Sequence, residues 1–409
     1  MKNFTHNLLH RVKDSTNQDP LGHKPPSKTH TAAQLAEHTF SYFYSPQHHQ
    51  FQAKVQSQDT LGEENHFGYV VWPVIIMVQA TAECLSHKRL QEAISCLQAH
   101  WNPEKHGFCA WKMFPGNLDI YYDDNAHAAQ ALISTYEAVS ERKYLIQAEE
   151  ILTGLIMPAA QKDGGVPWHI SSPNVRNSCS TGPTAVAALR ICIIEDSDRL
   201  TAFAERALNF LITTLRDPED GLIWDGLVFE ADGKPKINKM KWTYNTGFAI
   251  HGFALLFERT KNPEHLNVAI SLAKSALNPE NSLFDHSIST SAGRMYSDGS
   301  FFLHHLVDGF RALSRHALKE ELRDAVYRMA DWGREWMFDP TDGLYFRGSH
   351  PYSISEELKE KFNAKYHLEK KLESNKQERD AHGNLCKTMI GSASWARILH
   401  AAEEFQAGK

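Results

Sequence analysis

The stretch "DPEDGLIWDG", residues 217–226, is a turn marked by proline and glycine that runs straight into apolar and aromatic residues. Five other stretches share this form: "SPQHHQFQA" from 45, "NPEKHGFCAW" from 102, "QKDGGVPWH" from 161, "NPENSLFDH" from 278 and "DPTDGLYFRG" from 339. Five of the six carry proline at their second position, at 46, 103, 218, 279 and 340, and with 161 set aside their starts lie 57, 115, 61 and 61 residues apart. The value 115 is close to twice 57. A sustained period of this size marks one supersecondary unit repeated around a fold.

Within each unit the order of elements recurs. A helix with a mixed polar and apolar face, such as "KRLQEAISCLQAHW", leads into the turn, and a second helix rich in small and apolar residues follows it. The second helices are "GYVVWPVIIMVQATAECL", "NAHAAQALISTYEAV", "GPTAVAALRICII", "TGFAIHGFALLFERT", "GSFFLHHLVDGFRAL" and "GSASWARILHAAEEF". A helix apolar on most faces is buried, and an amphipathic one covers it. Six of each predict an all-α fold, an (α/α)6 barrel, formed by one domain over 31–409 behind a flexible tail over 1–30. The inner helices are expected to start near residues 67, 121, 180, 242, 299 and 386, so the last repeat is longer than the others. Its excess, 352–384, is rich in Lys and Glu, and pairs such as Glu356–Lys359 predict a solvated helix there.

Each inner helix begins just after a turn, so all six N-termini are expected at one end of the barrel. That end collects Glu63, Glu64 and His66; Asp123, Asp124 and Asn125; Asn177 and Ser180; Trp242, Tyr244 and Asn245; Tyr296 and Asp298; and His382 and Asn384. Polar groups converging at the mouth of an apolar barrel form the usual small-molecule site.

The adjacent carboxylates Asp123 and Asp124 open an inner helix. Aspartate in a first turn satisfies free N–H groups, which is the plain structural explanation. Their setting between Tyr121, Tyr122 and Asn125 suits catalysis instead. Retaining glycoside hydrolysis needs a nucleophilic carboxylate and a second one that serves as acid and base. Two close, partly desolvated carboxylates titrate apart because they resist being charged together. Trp168, Trp242 and Tyr244 offer flat faces for stacking on a sugar ring, and Tyr122, Asn125, Asn245 and Asp298 complete the expected binding set. For Asn125, Asn245 and Asp298 helix capping is the alternative.

The motifs "YYDDNAH", "GGVPWH" with "NSCSTGPTAVAAL", "DGLIWDG" and "WTYNTGFAIHGFALLFERT" resemble glycoside hydrolase family 76, over most of the chain from about residue 60. The resemblance implies an α-1,6-mannanase-like retaining enzyme on an (α/α)6 barrel, with Asp123 as nucleophile and Asp124 as acid/base. This chain departs from the family pattern at His127, where the family commonly has Trp, and at Thr246, where it has Gln.

Composition narrows the field. The 409 residues are 42% hydrophobic and 22% charged with net charge −6, which argues against a nucleic-acid or anionic-membrane partner. The longest apolar run, "YVVWPVIIMVQA", is too short to span a bilayer, and the polar first 30 residues do not read as a signal peptide. Cys84, Cys96 and Cys192 lie in apolar helical patterns and no CxxC occurs among the six cysteines, so reduced thiols and a cytoplasmic location are expected. No metal or cofactor is expected, and the partner is a carbohydrate substrate. Two other readings stand beside the hydrolase. An N-acylglucosamine 2-epimerase-like or aldose–ketose isomerase would use histidines such as His251, His304, His305 and His382. A non-catalytic carbohydrate-binding barrel would use the mouth alone.

Overall fold

The computed structural model describes residues 30–52, 69–230, 232–373, 379, 385 and 387–408. The expected N-terminal tail, Glu63, Glu64, His66, His382 and Asn384 lie outside them. The described chain is mostly helical, as the periodicity predicts.

The amphipathic helices are α1 (Ala32–Phe43), α3 (His87–Gln98), α5 (Arg142–Glu150), α7 (Asp198–Thr214), α9 (Pro263–Leu277) and α11 (Lys319–Trp332). In α3 the buried set Leu90, Ala93, Ile94 and Leu97 follows the i, i+3, i+4, i+7 pattern of a one-sided helix. The helices between them are α2 (Val71–Cys84), α4 (Tyr122–Val139), α6 (Ser178–Ile194), α8 (Thr243–Thr260), α10 (Ser300–Ser314) and α13 (Met389–Gln406). These are buried nearly all round; every residue of α6 from Ser178 to Leu189 is covered. They touch in the closed order α2, α4, α6, α8, α10, α13 and back to α2, and each packs on its amphipathic neighbour. Small residues permit the close approach. A Cβ at Gly309 of α10 would stand 2.5 Å from the Gly247 carbonyl oxygen of α8, and one at Gly247 would stand 2.6 Å from the Leu306 Cα.

The repeated turns are built alike. The first residue of the motif, Asn102, Asp217, Asn278 or Asp339, accepts the backbone N–H two positions on (Glu104 at 3.0 Å, Glu219 at 2.9 Å, Glu280 at 3.1 Å, Thr341 at 2.9 Å). This is the Asx turn that makes Asn and Asp turn formers. In four turns the fifth residue takes a left-handed φ: His49 at 49°, His106 at 55°, Gly221 at 76° and Gly343 at 73°. The chain then folds back as a short antiparallel pair, Tyr44–Ser45 (β1) with Gln50–Phe51 (β2), Trp101–Asn102 (β3) with Gly107–Phe108 (β4), and, later in the chain, Phe338–Asp339 with Leu344–Tyr345.

A polar side chain at the fourth position of the following inner helix clamps the returning strand. Asn125 Oδ1 accepts the Phe108 N–H at 2.6 Å and its Nδ2 donates to the Phe108 carbonyl at 2.9 Å. Thr181 accepts Val166 N–H at 3.0 Å, Thr246 accepts Ile223 N–H at 3.1 Å and Ser392 accepts Tyr345 N–H at 3.0 Å. Each satisfies a buried donor that no ladder reaches.

Two features differ from the sequence reading. The chain between α5 and α8 forms a three-stranded antiparallel sheet, Val175–Asn177 (β5), Trp224–Phe229 (β6) and Pro235–Lys241 (β7). Leu227 pairs with Ile237, and Gly233 at φ 80° serves the turn between β6 and β7. Within the long last repeat, helix α12 (Glu356–Tyr366) is not merely solvated. Phe362 is fully buried against Trp336, with ring centroids 5.5 Å apart, and Lys365 pairs with Glu335 at 2.6 Å, so α12 docks on the helical turn Gly333–Met337 that continues α11. Cys84, Cys96, Cys109, Cys179 and Cys192 are free thiols. Among the described residues no helix is long and apolar enough to cross a membrane.

The clamps should be measurable. Thr246→Val keeps the shape and strands the Ile223 N–H, so chemical denaturation should report a loss of about 1–3 kcal/mol. An unchanged stability would show that the clamp contributes nothing.

Candidate active site

Asp123 and Asp124 are the second and third residues of α4, whose N-cap is Tyr121 with no side-chain cap. Neither carboxylate is the N-cap, although Asp123 accepts the first-turn N–H of Asp124, and both lie where the positive end of the helix dipole favours anions. The segment after the third turn fixes their surroundings. Tyr121 bridges to His169, Tyr122 N–H donates to the Trp168 carbonyl at 2.8 Å, and the Trp168 indole packs edge-on to Tyr121 at 5.1 Å. This brings Trp168 Nε1 to 3.0 Å from Asp123 Oδ2.

The two carboxylates are treated unequally. Asp123 accepts from Trp168, from the Asp124 N–H at 3.0 Å and from the Cys179 thiol. Burial pushes Asp123 up to about 6, and those donors pull against it. Asp124 is driven well above the usual carboxylate range by burial, by the charge of Asp123 and by Asp119. At neutral pH Asp123 is the group that ionises first and Asp124 the one that keeps its proton.

A second wall faces the pair. Cys179, 5% exposed, and the Tyr244 hydroxyl are hydrogen-bonded to each other, and each feels the charge of both Asp123 and Asp225. Tyr244 stacks on Phe302 with centroids 4.2 Å apart and planes 3° from parallel, and Trp242 and Trp72 flank Phe302 at 5.4 and 6.0 Å. Trp168 is 44% exposed, so its indole presents an open face beside Asp123.

The structure brings Asp123, Asp124, Trp168, Trp242 and Tyr244 to this mouth and corrects four other expectations. Asn125 is fully buried and spends its amide on Phe108 and on the Tyr121 carbonyl, so it clamps the turn and leaves nothing for a ligand. Tyr122 is 7% exposed and turned into the apolar core. Asp298 caps the neighbouring helix α8, accepting the Thr243 N–H at 2.5 Å and the Thr243 hydroxyl at 2.7 Å. Asn245 is fully buried and reaches Asp225 at 3.4 Å, acting through that carboxylate. Sequence reasoning missed Asp225, Cys179 and Phe302; the "IWDG" that ends the fourth turn carried the only signal for the first.

Of the histidines that an isomerase would use, His251, His304 and His305 lie on inner helices, within the ring. His127 stacks on His305 at 4.6 Å, and His304 adjoins it. His304, His305 and Asp308 bring possible metal-ligand atoms within 4.8 Å of one another. Arg397 donates to His304 Nδ1, which leaves the ring proton on Nε2, and meets both Asp308 oxygens at 3.1 Å. Two of these three groups are thus committed to an ion-pair network.

Comparison with known proteins bears on the family and the fold. The family model described as Glycosyl hydrolase family 76 matches residues 27–330. A Schizosaccharomyces pombe protein, "Meiotically up-regulated gene 191 protein", is 32% identical over 371 residues, 82% of this chain and 83% of its own length. "Mannan endo-1,6-alpha-mannosidase DCW1" of Candida albicans is 28% identical over 120 residues, 28% of this chain and 26% of that protein. The GH76A α-1,6-mannanase of Salegentibacter sp. HEL1_6 shares the fold with a TM-score of 0.67 at 19% identity, covering 91% of this chain and 99% of that one. An inactive variant of that enzyme, with two adjacent aspartates replaced by alanine, is known in complex with α-1,6-mannotetrose.

Two measurements test the electrostatics. Trp168→Phe removes a donor from ionised Asp123, so the acidic limb of kcat/KM should move above about 6 by up to about one pH unit. A limb that stays in place would refute the role of the indole. Both carboxylates are raised in the fold, so the native state binds more protons than the unfolded one. Their contribution to stability is present at acid pH and is lost as pH rises through about 6 for Asp123 and beyond for Asp124. Asp124→Asn should therefore raise Tm at pH 7.5 and leave it nearly unchanged at pH 4; a lower Tm at pH 7.5 would contradict the assignment.

Proposed function

Since this chain belongs to glycosyl hydrolase family 76 and is a glycoside hydrolase, we propose that it cleaves α-mannosidic bonds, α-1,6 linkages first among them, with retention of configuration. The observation that carries this reading is the unequal environment of the adjacent carboxylates. Asp123, held by three donors, is ionised and serves as nucleophile. Asp124, raised by burial and by its neighbour, keeps the proton that the leaving oxygen needs, then returns as base when water attacks the glycosyl–enzyme ester. The closed cycle of six inner helices, each covered by an outer one, supports an (α/α)6 barrel as the frame. The Salegentibacter enzyme supports the substrate class, because its inactive variant lacks two adjacent aspartates and binds an α-1,6-mannooligosaccharide.

The chemistry distinguishes the two aspartates. Asp123→Asn should lose turnover on every substrate, by roughly 10⁴-fold or more, in keeping with the loss of a catalytic nucleophile. Asp124→Asn should still glycosylate itself from an activated aryl α-mannoside, whose leaving group needs no proton, and should fail on α-1,6-mannobiose. Proton NMR of the first-formed sugar should show the α-anomer before mutarotation. A β-anomer as first product, with equal losses in the two variants, would overturn the assignment.

A further inference from the structure

The end of the ring opposite the carboxylate pair holds a cavity of about 420 Å³, within the roughly 300–1,000 Å³ typical of small-molecule sites. All six inner helices line it near their C-termini, from Glu83 of α2 round to Glu404 of α13. On α4 the lining residues Gln130 and Glu137 stand about 10 and 20 Å along the helix axis from Asp123. The buried rings of His127, His304 and His305 occupy the turns between the two levels. A ligand here does not meet the catalytic pair.

The charges of the cavity nearly cancel. Four guanidiniums face five carboxylates, and most of them are paired with one another. Arg397 meets Glu83 at 2.9 Å and Asp308 at 3.1 Å, Arg190 meets Glu137 at 2.7 Å, and Arg311 meets Glu404. Glu258 and Arg315 add one charge of each sign nearer the rim. Walls that neutralise themselves do not repay a charged ligand for the water it must shed. Two neutral side chains stand outside these pairs, Gln79 of α2 and His251 of α8, which line the cavity from opposite sides of the ring. Gln79 is 2% exposed, and its Oε1 and the Nδ1 of His251 are covered atoms with no hydrogen-bond partner. Burial pushes His251 down to about 3, so its ring is neutral, with one nitrogen a donor and the other an acceptor.

These two groups describe the ligand. Gln79 Oε1 accepts a hydrogen bond, and an ionised carboxylate has no proton to give it. An ammonium has protons, but four guanidiniums repel a cation. A hydroxyl donates to Gln79, and it serves His251 as donor or as acceptor. Ile193, 50% exposed, and Leu255 add apolar surface for the C–H faces of a carbon ring. We propose that this cavity is a second ligand site, distinct from the mouth, that takes one small neutral polyhydroxylated molecule of monosaccharide size between Gln79 and His251. The site stands independently of the mannosidase reading.

Saturation-transfer NMR on the whole chain tests this, with D-mannose, D-glucose and myo-inositol as separate probes. At least one should bind the wild-type protein with a Kd in the millimolar range. Ala138→Trp fills the cavity from the wall of α4, and Gln79→Leu keeps the volume and removes the acceptor. Each should weaken that binding by about 10-fold or more. Gln79→Leu removes an unsatisfied buried atom and should not lower Tm, so it decides alone if Ala138→Trp fails to fold. Inorganic phosphate and putrescine, the charged controls, should not displace the sugar. No binding by any probe, or displacement by either control, would overturn the site. So would binding unchanged in Gln79→Leu, which would place the sugar at the mouth instead. No step of the test is hydrolytic, so a failure of the mannosidase reading leaves its result intact.

Discussion

A turn whose returning strand is buried under a helix end must find a partner for its N–H, or lose a few kcal/mol of stability. In this chain the partner comes from the helix that follows, through Asn125, Thr181, Thr246 and Ser392, each at the fourth position of an inner helix. The requirement ties a turn to a helix start four times around the ring. It also sets the direction of the ring, because turn and helix start become one unit and all such units collect at one end. The first-turn residues just before the clamp are then held at a fixed height at the mouth. Asp123 and Asp124 occupy that height in α4, Cys179 and Ser180 in α6, and Tyr244 and Asn245 in α8.

The mouth built in this way is not optimised for stability. Two adjacent carboxylates are partly buried, and desolvation raises both. The Trp168 indole and the Asp124 N–H offset part of that cost for Asp123 alone. A symmetric arrangement of donors would have lowered both carboxylates and made a more stable protein with no proton to give. The inequality that weakens the fold is the same inequality that separates a base from an acid.

The architecture was legible because it rests on periodicity and turn chemistry, which leave regular marks. Six Pro/Gly/Asx turns and six small-residue helices suffice to place the helix starts within a few residues. The candidate site was legible only in part. Asn125, Asn245 and Asp298 read as ligand contacts because polar residues at helix starts are ambiguous: the same side chain can hold a sugar, a turn or the next helix. Here Asn125 holds a turn, Asp298 holds Thr243 and Asn245 holds Asp225. Tyr122 misled for another reason, since its backbone and not its ring meets Trp168. Asp225 was invisible because its direction depends on a break in strand register, and register is a property of a pair of strands that one strand's sequence does not carry. The insertion at 352–384 misled through its charge, which hid anchoring rings such as Phe362.

The opposite end of the ring is governed by different physics. There the inner helices present their C-termini, and a cavity of about 420 Å³ is lined by Glu83, Asp308, Arg311 and Arg397 among others. Arg397 of α13 joins Glu83 of α2 at 2.9 Å and Asp308 of α10 at 3.1 Å, and it holds Glu83 below the usual carboxylate range and Asp308 well below it. These ion pairs join the last inner helix to the first, which no turn connects, so they serve closure where the clamps cannot. Removing one partner of such a buried set leaves an uncompensated charge, which is why it specifies geometry more than it adds stability. Arg311, in the last turn of α10, suits a helix C-terminus, and an aspartate that must be ionised suits an N-terminus. With the two ends carrying opposite dipoles, the end that can stabilise a nucleophilic carboxylate is the one where the turns and clamps already hold the helix starts.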